Sequence, residues 1–278
     1  MSMQARVSNL RKQFEQLFPG KWLTGNERGR NLQTGVPEID QGISRGIARR
    51  RITEWIGSVS SGKTTLLRNA ISNWCAAGLN VAYIDTEGRL LASDWAYIDQ
   101  VHGKFWIVRP PDANTISAPS NTVVPLVSKR SLYSQEATWS ADQFIRSNAF
   151  DVVILDLGAI DPSDQRRKGM SYNPVSSRIY ARLQRSLDRS KAALLIVRDG
   201  QLSQPGDTWG CHSRFTFDFG TKITCEPGLA GVAMITPTIK CNVERDGMNQ
   251  QVEVTLSSSV QNRIFTHPQP ADRRTSKR

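Results

Sequence analysis

The chain has 278 residues, 38% of them hydrophobic, with 36 basic and 25 acidic side chains and a formal net charge of +11. That length and apolar content can bury a sizeable core, which excludes a disordered chain, and no apolar run reaches the 18 or more residues of a membrane helix. The first thirty residues hold no signal-peptide core, and the four scattered cysteines (Cys75, Cys211, Cys225 and Cys241) form neither a CxxC pair nor a Cys/His cluster. The expectation is therefore a cytoplasmic protein without zinc or redox chemistry.

The positive charge is localised. Residues 1–51 carry ten basic and four acidic side chains, residues 271–278 carry four and one, and residues 166–191 set eight basic side chains against the single acid Asp188. Such clustering is the footprint of a protein that meets phosphate backbones, so DNA is the expected partner and the nucleoid the expected location. An acidic protein partner is the competing account.

In chain order, residues 4–18 place Val7, Leu10, Phe14 and Leu17 at helical spacing, and Pro19-Gly20 ends the pattern. Residues 1–45 thus predict an amino-terminal helix and linker, a candidate oligomerisation arm for a homo-oligomer. Residues 34–40 predict a loop leading into a short helix. The core is expected over 46–262. Its strand-like runs at 52–56, 81–84, 105–108, 152–157 and 194–197 alternate with helical patterns at 63–77, 137–147 and 175–190. That alternation predicts an α/β fold with a mostly parallel central sheet flanked by helices. Beyond Val197, strand-like runs at 215–225, 232–243 and 252–256 lack a helix long enough to cross over, which predicts an antiparallel carboxy-terminal extension. Residues 263–278 predict a basic, flexible tail.

Between the first predicted strand and helix lies Gly57-Ser58-Val59-Ser60-Ser61-Gly62-Lys63-Thr64, a phosphate-binding loop followed by Thr65. Its glycines allow the tight turn by which backbone N–H groups and the helix N-terminus surround nucleotide phosphates. Lys63 reaches the terminal phosphates and Thr64 supplies a hydroxyl to Mg2+. Asp156 ends the run Val152-Val153-Ile154-Leu155, where a second metal-holding carboxylate belongs. A base that orients water is also needed. Glu87 and Asp85 compete for that role, with Asp85 alternatively fixing the strand end.

Thr34-Gly35, Arg51-Ile52-Thr53-Glu54, Gly57 to Thr65, Ile84-Asp85-Thr86-Glu87 and Asp151 to Asp156 resemble, in order and spacing, the bacterial recombinase RecA over roughly residues 30–245. The resemblance implies a RecA-like P-loop ATPase core that uses ATP and Mg2+, with Glu87 as catalytic glutamate and Asp156 as Walker B aspartate. It places two loops that bind single-stranded DNA at 163–173, containing Arg166, Arg167 and Lys168, and at 200–213. Lys240 and Arg245 stand near the positions that act across a subunit interface. Arg198-Asp199 occupies the place of the family's Asn-Gln, whose glutamine couples nucleotide state to the DNA loop, and a basic tail stands in place of the family's carboxy-terminal domain. Arg178, Arg182, Arg185 and Arg189 line one helix face whose simplest account is a solvated surface, and Trp209 and Phe215 read as core rather than base-stacking residues.

The segment Thr138-Trp139-Ser140-Ala141-Asp142-Gln143-Phe144-Ile145-Arg146-Ser147, with Arg109-Pro110-Pro111, resembles the shorter ImuA family of translesion-mutasome accessory factors. That resemblance implies partnership with an inactive Y-family polymerase homologue and an error-prone polymerase in DNA damage tolerance. The alternatives are a RecA-type recombinase or recombination mediator, and a non-hydrolysing nucleotide-dependent scaffold.

Overall fold

A computed structural model describes residues 31–41, 45–96, 98, 102–109, 129–159, 177–200, 210–225 and 233–255. The expected amino-terminal helix, Arg166, Arg167 and Lys168, Trp209 and the tail lie outside these residues. Eight strands form one sheet: β1 (Ile52–Gly57), β2 (Val81–Asp85), β3 (Phe105–Val108), β4 (Val152–Ala159), β5 (Ala193–Asp199), β6 (Ser213–Cys225), β7 (Ala233–Arg245) and β8 (Met248–Thr255), in the order β3-β2-β4-β5-β1-β6-β7-β8. Among the described residues five helices accompany them: α1 (Pro37–Asp40), α2 (Lys63–Ala76), α3 (Ala92–Trp95), α4 (Lys129–Ser147) and α5 (Ser177–Leu187). The mostly parallel sheet, its flanking helices and the antiparallel β7 and β8 form the expected α/β architecture.

β6 departs from the expectation. It pairs parallel with β1 from Thr53↔Ser213 to Gly57↔Phe217, so the antiparallel extension begins at β7. The His212 N–H donates to the Ile52 carbonyl at 2.8 Å and so starts β6 at the same end of the sheet as β1. Side-chain patterning cannot distinguish the two directions, because a buried strand reads alike either way. Helix α4 also begins earlier than its expected start at Ala137. Residues 129–136 carry Lys129, Arg130, Ser131 and Ser134, which dilute the apolar period.

Alternate residues of the buried strands feed two apolar layers. On one face Trp55, Tyr83, Ile154, Leu195 and Phe215 pack with Leu66, Leu67, Ile71 and Trp74 of α2. On the other Ile52, Ile84, Val153, Leu155, Leu194 and Ile196 pack with Ala137, Ala141 and Ile145 of α4 and Leu183 and Leu187 of α5. Phe215 is fully buried, as expected. Leu32, Val36, Ile39 and Ile47 join the α2 layer, and the Gln33 carbonyl accepts from the Asn73 amide and the Trp74 indole N–H. The turn that holds them there is tied by Asp40, whose carboxylate accepts from the Thr34 N–H and hydroxyl and the Gly35 N–H.

One buried polar group interrupts the α4/α5 layer. Glu54 on β1 accepts from Tyr180 and pairs with Arg198 at 3.4 Å and Arg214 at 2.9 Å, all four side chains being nearly inaccessible. A buried carboxylate flanked by two guanidinium groups satisfies the charge that burial would otherwise make very costly. Arg198 is thereby committed to this face of β5, and the next residue, Asp199, points to the other.

Candidate nucleotide site

β1 ends at Gly57 because the chain must turn where any side chain would collide: a Cβ on Gly57 would meet the Ser61 hydroxyl and the Phe217 carbonyl. Ser60 (φ 66°) and Gly62 (φ 86°) take left-handed conformations, and a Cβ on Gly62 would run into Ile239. The loop closes with the Ser61 N–H on the Ser58 carbonyl at 3.2 Å. Helix α2 then starts at Lys63 with no side-chain cap, which leaves its first N–H groups and the positive end of its dipole facing the loop. Among the described residues the buried Ser61 hydroxyl has no hydrogen-bond partner. An open helix N-terminus, an orphaned buried donor and a buried lysine fit a phosphate group.

Lys63 Nζ sits within this cradle, 3.3 Å from the Ser58 carbonyl, and forms an ion pair with Asp199 at the end of β5. Asp199 lies opposite Gly57 in the β1/β5 register. It also accepts from Arg89 at 3.0 Å, and Arg89 contacts Glu87 at 2.5 Å. Lysine, aspartate, arginine and glutamate thus form an alternating chain of charge from the phosphate loop to the end of β2. The Arg198-Asp199 pair that departs from the RecA pattern is split: one member serves the buried Glu54, the other holds the phosphate-loop lysine.

Asp85 and Glu87 separate cleanly. The Asp85 carboxylate is buried and accepts from the N–H groups of Arg89 and Leu90, each at 3.0 Å, and from Arg109 at 3.1 Å. It fixes the loop after β2. Glu87 sits on that loop, and its carboxylate lies against Gly158, where a Cβ would overlap it. Gly158 (φ 64°) in turn donates its N–H to Asp156 Oδ1 at 3.0 Å. The ends of β2 and β4 therefore bring Glu87 and Asp156 together around a glycine that sequence reasoning did not single out. Its signal in the sequence, a glycine two residues past Asp156, has meaning only once Glu87 is folded beside it.

Tyr83 donates its hydroxyl to Asp156 Oδ2 at 2.6 Å, and Thr86 anchors the same turn through the Asp156 carbonyl, also at 2.6 Å. Removal from water raises the Asp156 carboxyl above the usual carboxylate range, against the opposing hydrogen bonds from Tyr83 and Gly158. Burial and the adjacent Asp156 charge push the Tyr83 phenol well above its ordinary value, so it remains a donor. With these bonds Asp156 is held in one orientation at a strand end, as a metal-holding carboxylate requires. Thr64 is exposed on the first turn of α2 and Thr65 follows it, while Val59 projects into solvent at the loop tip.

The expected trans-interface residues lie apart. Lys240 is exposed and opposite Asp218, one register step past the Phe217 that pairs with Gly57, so it sits at the phosphate-loop end of the sheet. Arg245 is opposite Ser213, at the other end, where it contacts Asp246 at 3.6 Å. Among the cysteines, burial pushes the Cys211 and Cys241 thiols up to about 12, far from thiolate chemistry. The described residues contain no group of three or more His, Cys, Asp or Glu side chains able to hold a metal ion by themselves.

No family model matches the chain. It is similar to the Protein RecA of Oleidesulfovibrio alaskensis, with 34% identity over 133 residues, 48% of this chain and 32% of that protein. It is 28% identical over 189 residues to the Protein RecA of Synechocystis, covering 66% and 48%, and 26% identical over 229 residues to that of Thermosynechococcus vestitus, covering 80% and 58%. The chain spans about a third to somewhat over half of the length of these curated relatives. Among the described residues no helix is long and apolar enough to cross a membrane.

Proposed function

We propose that this chain is a RecA-like, DNA-associated ATPase of DNA damage tolerance, an ImuA-like accessory factor of a translesion mutasome. The observation that carries the ATPase reading is the convergence at one edge of the sheet: Lys63 in its cradle, and Asp156 beside Glu87 around Gly158. In this reading the N–H groups of residues 57–65 and Lys63 hold the ATP phosphates, and Thr64 and Asp156 would hold Mg2+, which would supply charge neutralisation to the transferred phosphate. Glu87 accepts a hydrogen bond from the attacking water and orients it. As water adds to the γ-phosphorus, the bond to the bridging oxygen breaks, giving ADP and inorganic phosphate. The RecA similarity supports DNA as partner, through Arg166, Arg167 and Lys168, and self-assembly, with residues 1–45 as arm, Lys240 facing a neighbour and residues 263–278 as basic tail. The ImuA resemblance supports the inactive Y-family homologue and the error-prone polymerase as partners.

The test is phosphate release with Mg2+ and ATP, with and without single-stranded DNA. Lys63→Ala should weaken nucleotide binding about tenfold or more and abolish turnover, and Glu87→Gln should keep binding while losing about 10²-fold or more in turnover. Unchanged turnover in either variant refutes the assigned roles. A nucleotide-dependent scaffold without turnover is the second reading, favoured by Asp199, a carboxylate standing where the resemblance expects the coupling glutamine. Nucleotide binding by the wild type with no phosphate release would select it.

A further inference from the structure

Helices α4 and α5 pack side by side on the sheet face away from α2, and the junction is tied by the Ser186 hydroxyl donating to the buried Asp142 at 2.6 Å. Outside that bond the two helices enclose a groove of about 390 Å3 lined by Arg146, Arg182, Arg185, Ser186 and Arg189. Arg146 comes from α4, where it pairs with Asp142 at 3.1 Å and contacts Ser186 at 3.3 Å. Arg182, Arg185 and Arg189 come from α5 and the turn after it. Among the described residues none of these three has a carboxylate within 4.0 Å, although Asp188, between two of them, pairs with Arg51. A merely solvated basic face would let its side chains diverge. Here four guanidinium groups from two elements line one concave surface.

A second feature lies on the face of α4 that carries Arg146. Trp139 is 59% exposed, and it precedes Arg146 on α4 by seven residues, about two helical turns, so both project from one face of that helix. An indole left in water about two helical turns from an arginine groove, on the same helix face, suits single-stranded nucleic acid, for which guanidinium forks take phosphates and an aromatic plane stacks on an unpaired base. An acidic run of polypeptide offers carboxylates but no aromatic ring on each charged unit for Trp139, and a duplex keeps its base faces stacked inside. The groove lies near the ends of α4 and α5 that lead into β4 and β5. That is the sheet edge opposite the phosphate loop, and it shares no residue with the nucleotide site.

We infer that the α4/α5 groove is a binding site for single-stranded nucleic acid, with Arg146, Arg182, Arg185 and Arg189 holding the phosphodiester backbone and Trp139 stacking on a base. The inference extends the DNA association proposed above and is independent of the ATPase assignment.

The test is fluorescence anisotropy of a labelled 20-nucleotide oligothymidylate against the full chain over a salt series, with ADP binding measured on each preparation. Each phosphate neutralised on a single strand contributes about −0.7 to the slope of log affinity against log salt. The variant Arg182→Gln/Arg185→Gln/Arg189→Gln should therefore flatten the slope by about 2, and Trp139→Ala should weaken binding about tenfold or more with the slope unchanged. Retained ADP binding certifies the fold of each variant. If the triple variant does not fold, Trp139→Ala and single Arg189→Gln, with an expected slope change of about 0.7, decide alone. Wild-type slope and affinity in these variants, or no oligonucleotide binding by the wild type at low salt, overturns the site. Displacement of the oligonucleotide by polyglutamate at equal charge, with Trp139→Ala without effect, also overturns it and assigns the groove to an acidic protein. Failure of the wild type to bind ADP counts against the phosphate-loop reading and leaves the slope comparison intact.

Discussion

With Lys63 paired to Asp199, a nucleotide phosphate that reaches the same ammonium must displace a carboxylate rather than water. Once displaced, Asp199 stands as a negative charge beside the incoming phosphates, with Arg89 as its remaining partner. Asp199→Asn should therefore tighten ADP binding by about tenfold, equivalent to about 1.4 kcal/mol. The gain should vanish in a Lys63→Ala background if the two residues act as one pair. Equilibrium titration of a fluorescent ADP analogue on the four proteins measures this, and an equal effect in both backgrounds would show that Asp199 acts by another route. Gly158 belongs to the same scale. An alanine there meets two obstacles, a backbone φ of 64° that disfavours side chains and the Glu87 carboxylate in the space the methyl would need. Gly158→Ala should thus lower ATP turnover about tenfold or more with nucleotide affinity largely kept, a split between kcat and Kd that a general loss of fold would not produce.

At the scale of elements, what was legible in the sequence follows from how each element is stabilised. β1, β2, β4 and β5 are buried apolar runs bounded by polar residues, so they lie close to the positions their composition indicates. α2 begins at Lys63 because the glycine before it supplies the left-handed turn. Residues 1–45 read as a helix and linker ahead of the core, yet Leu32, Val36 and Ile39 are buried in it, held in part by the Gln33 and Thr34 carbonyls meeting Asn69, Asn73 and Trp74 of α2. Such bonds leave no periodicity. The basic face of α5 was legible too, but its character as one wall of a groove depends on Arg146 of α4, forty residues away from Ser186 along the chain.

For the molecule as a whole, β6 is the strand that joins the parallel sheet to its antiparallel extension, and His212 stands at its start. Burial first, and then the like charge of Arg245, lowers the His212 imidazole from 6.5 to about 4, against the attraction of Asp246. The unfolded chain therefore binds more protons than the folded one between about pH 6.5 and 4. This contribution to stability is complete above the unfolded value and is lost as pH falls through that window, by about 1–2 kcal/mol at pH 5. His212→Gln should flatten the fall in the urea midpoint between pH 7 and 5, and an unchanged pH dependence would show that the imidazole is not held neutral. Residue order alone determined the glycine-rich turn before α2, the lysine that opens that helix, the aspartate after the apolar run 152–155 and the alternation of strands and helices, because each depends on neighbours in the chain and on local turn geometry. Only the tertiary structure gave Asp85 and Glu87 different surroundings, turned Arg198 and Asp199 to opposite faces, set Gly158 against Glu87 and joined Arg146 to the α5 arginines. Those outcomes depend on which strand ends and helix faces meet across long sequence separations, and no local pattern encodes that meeting.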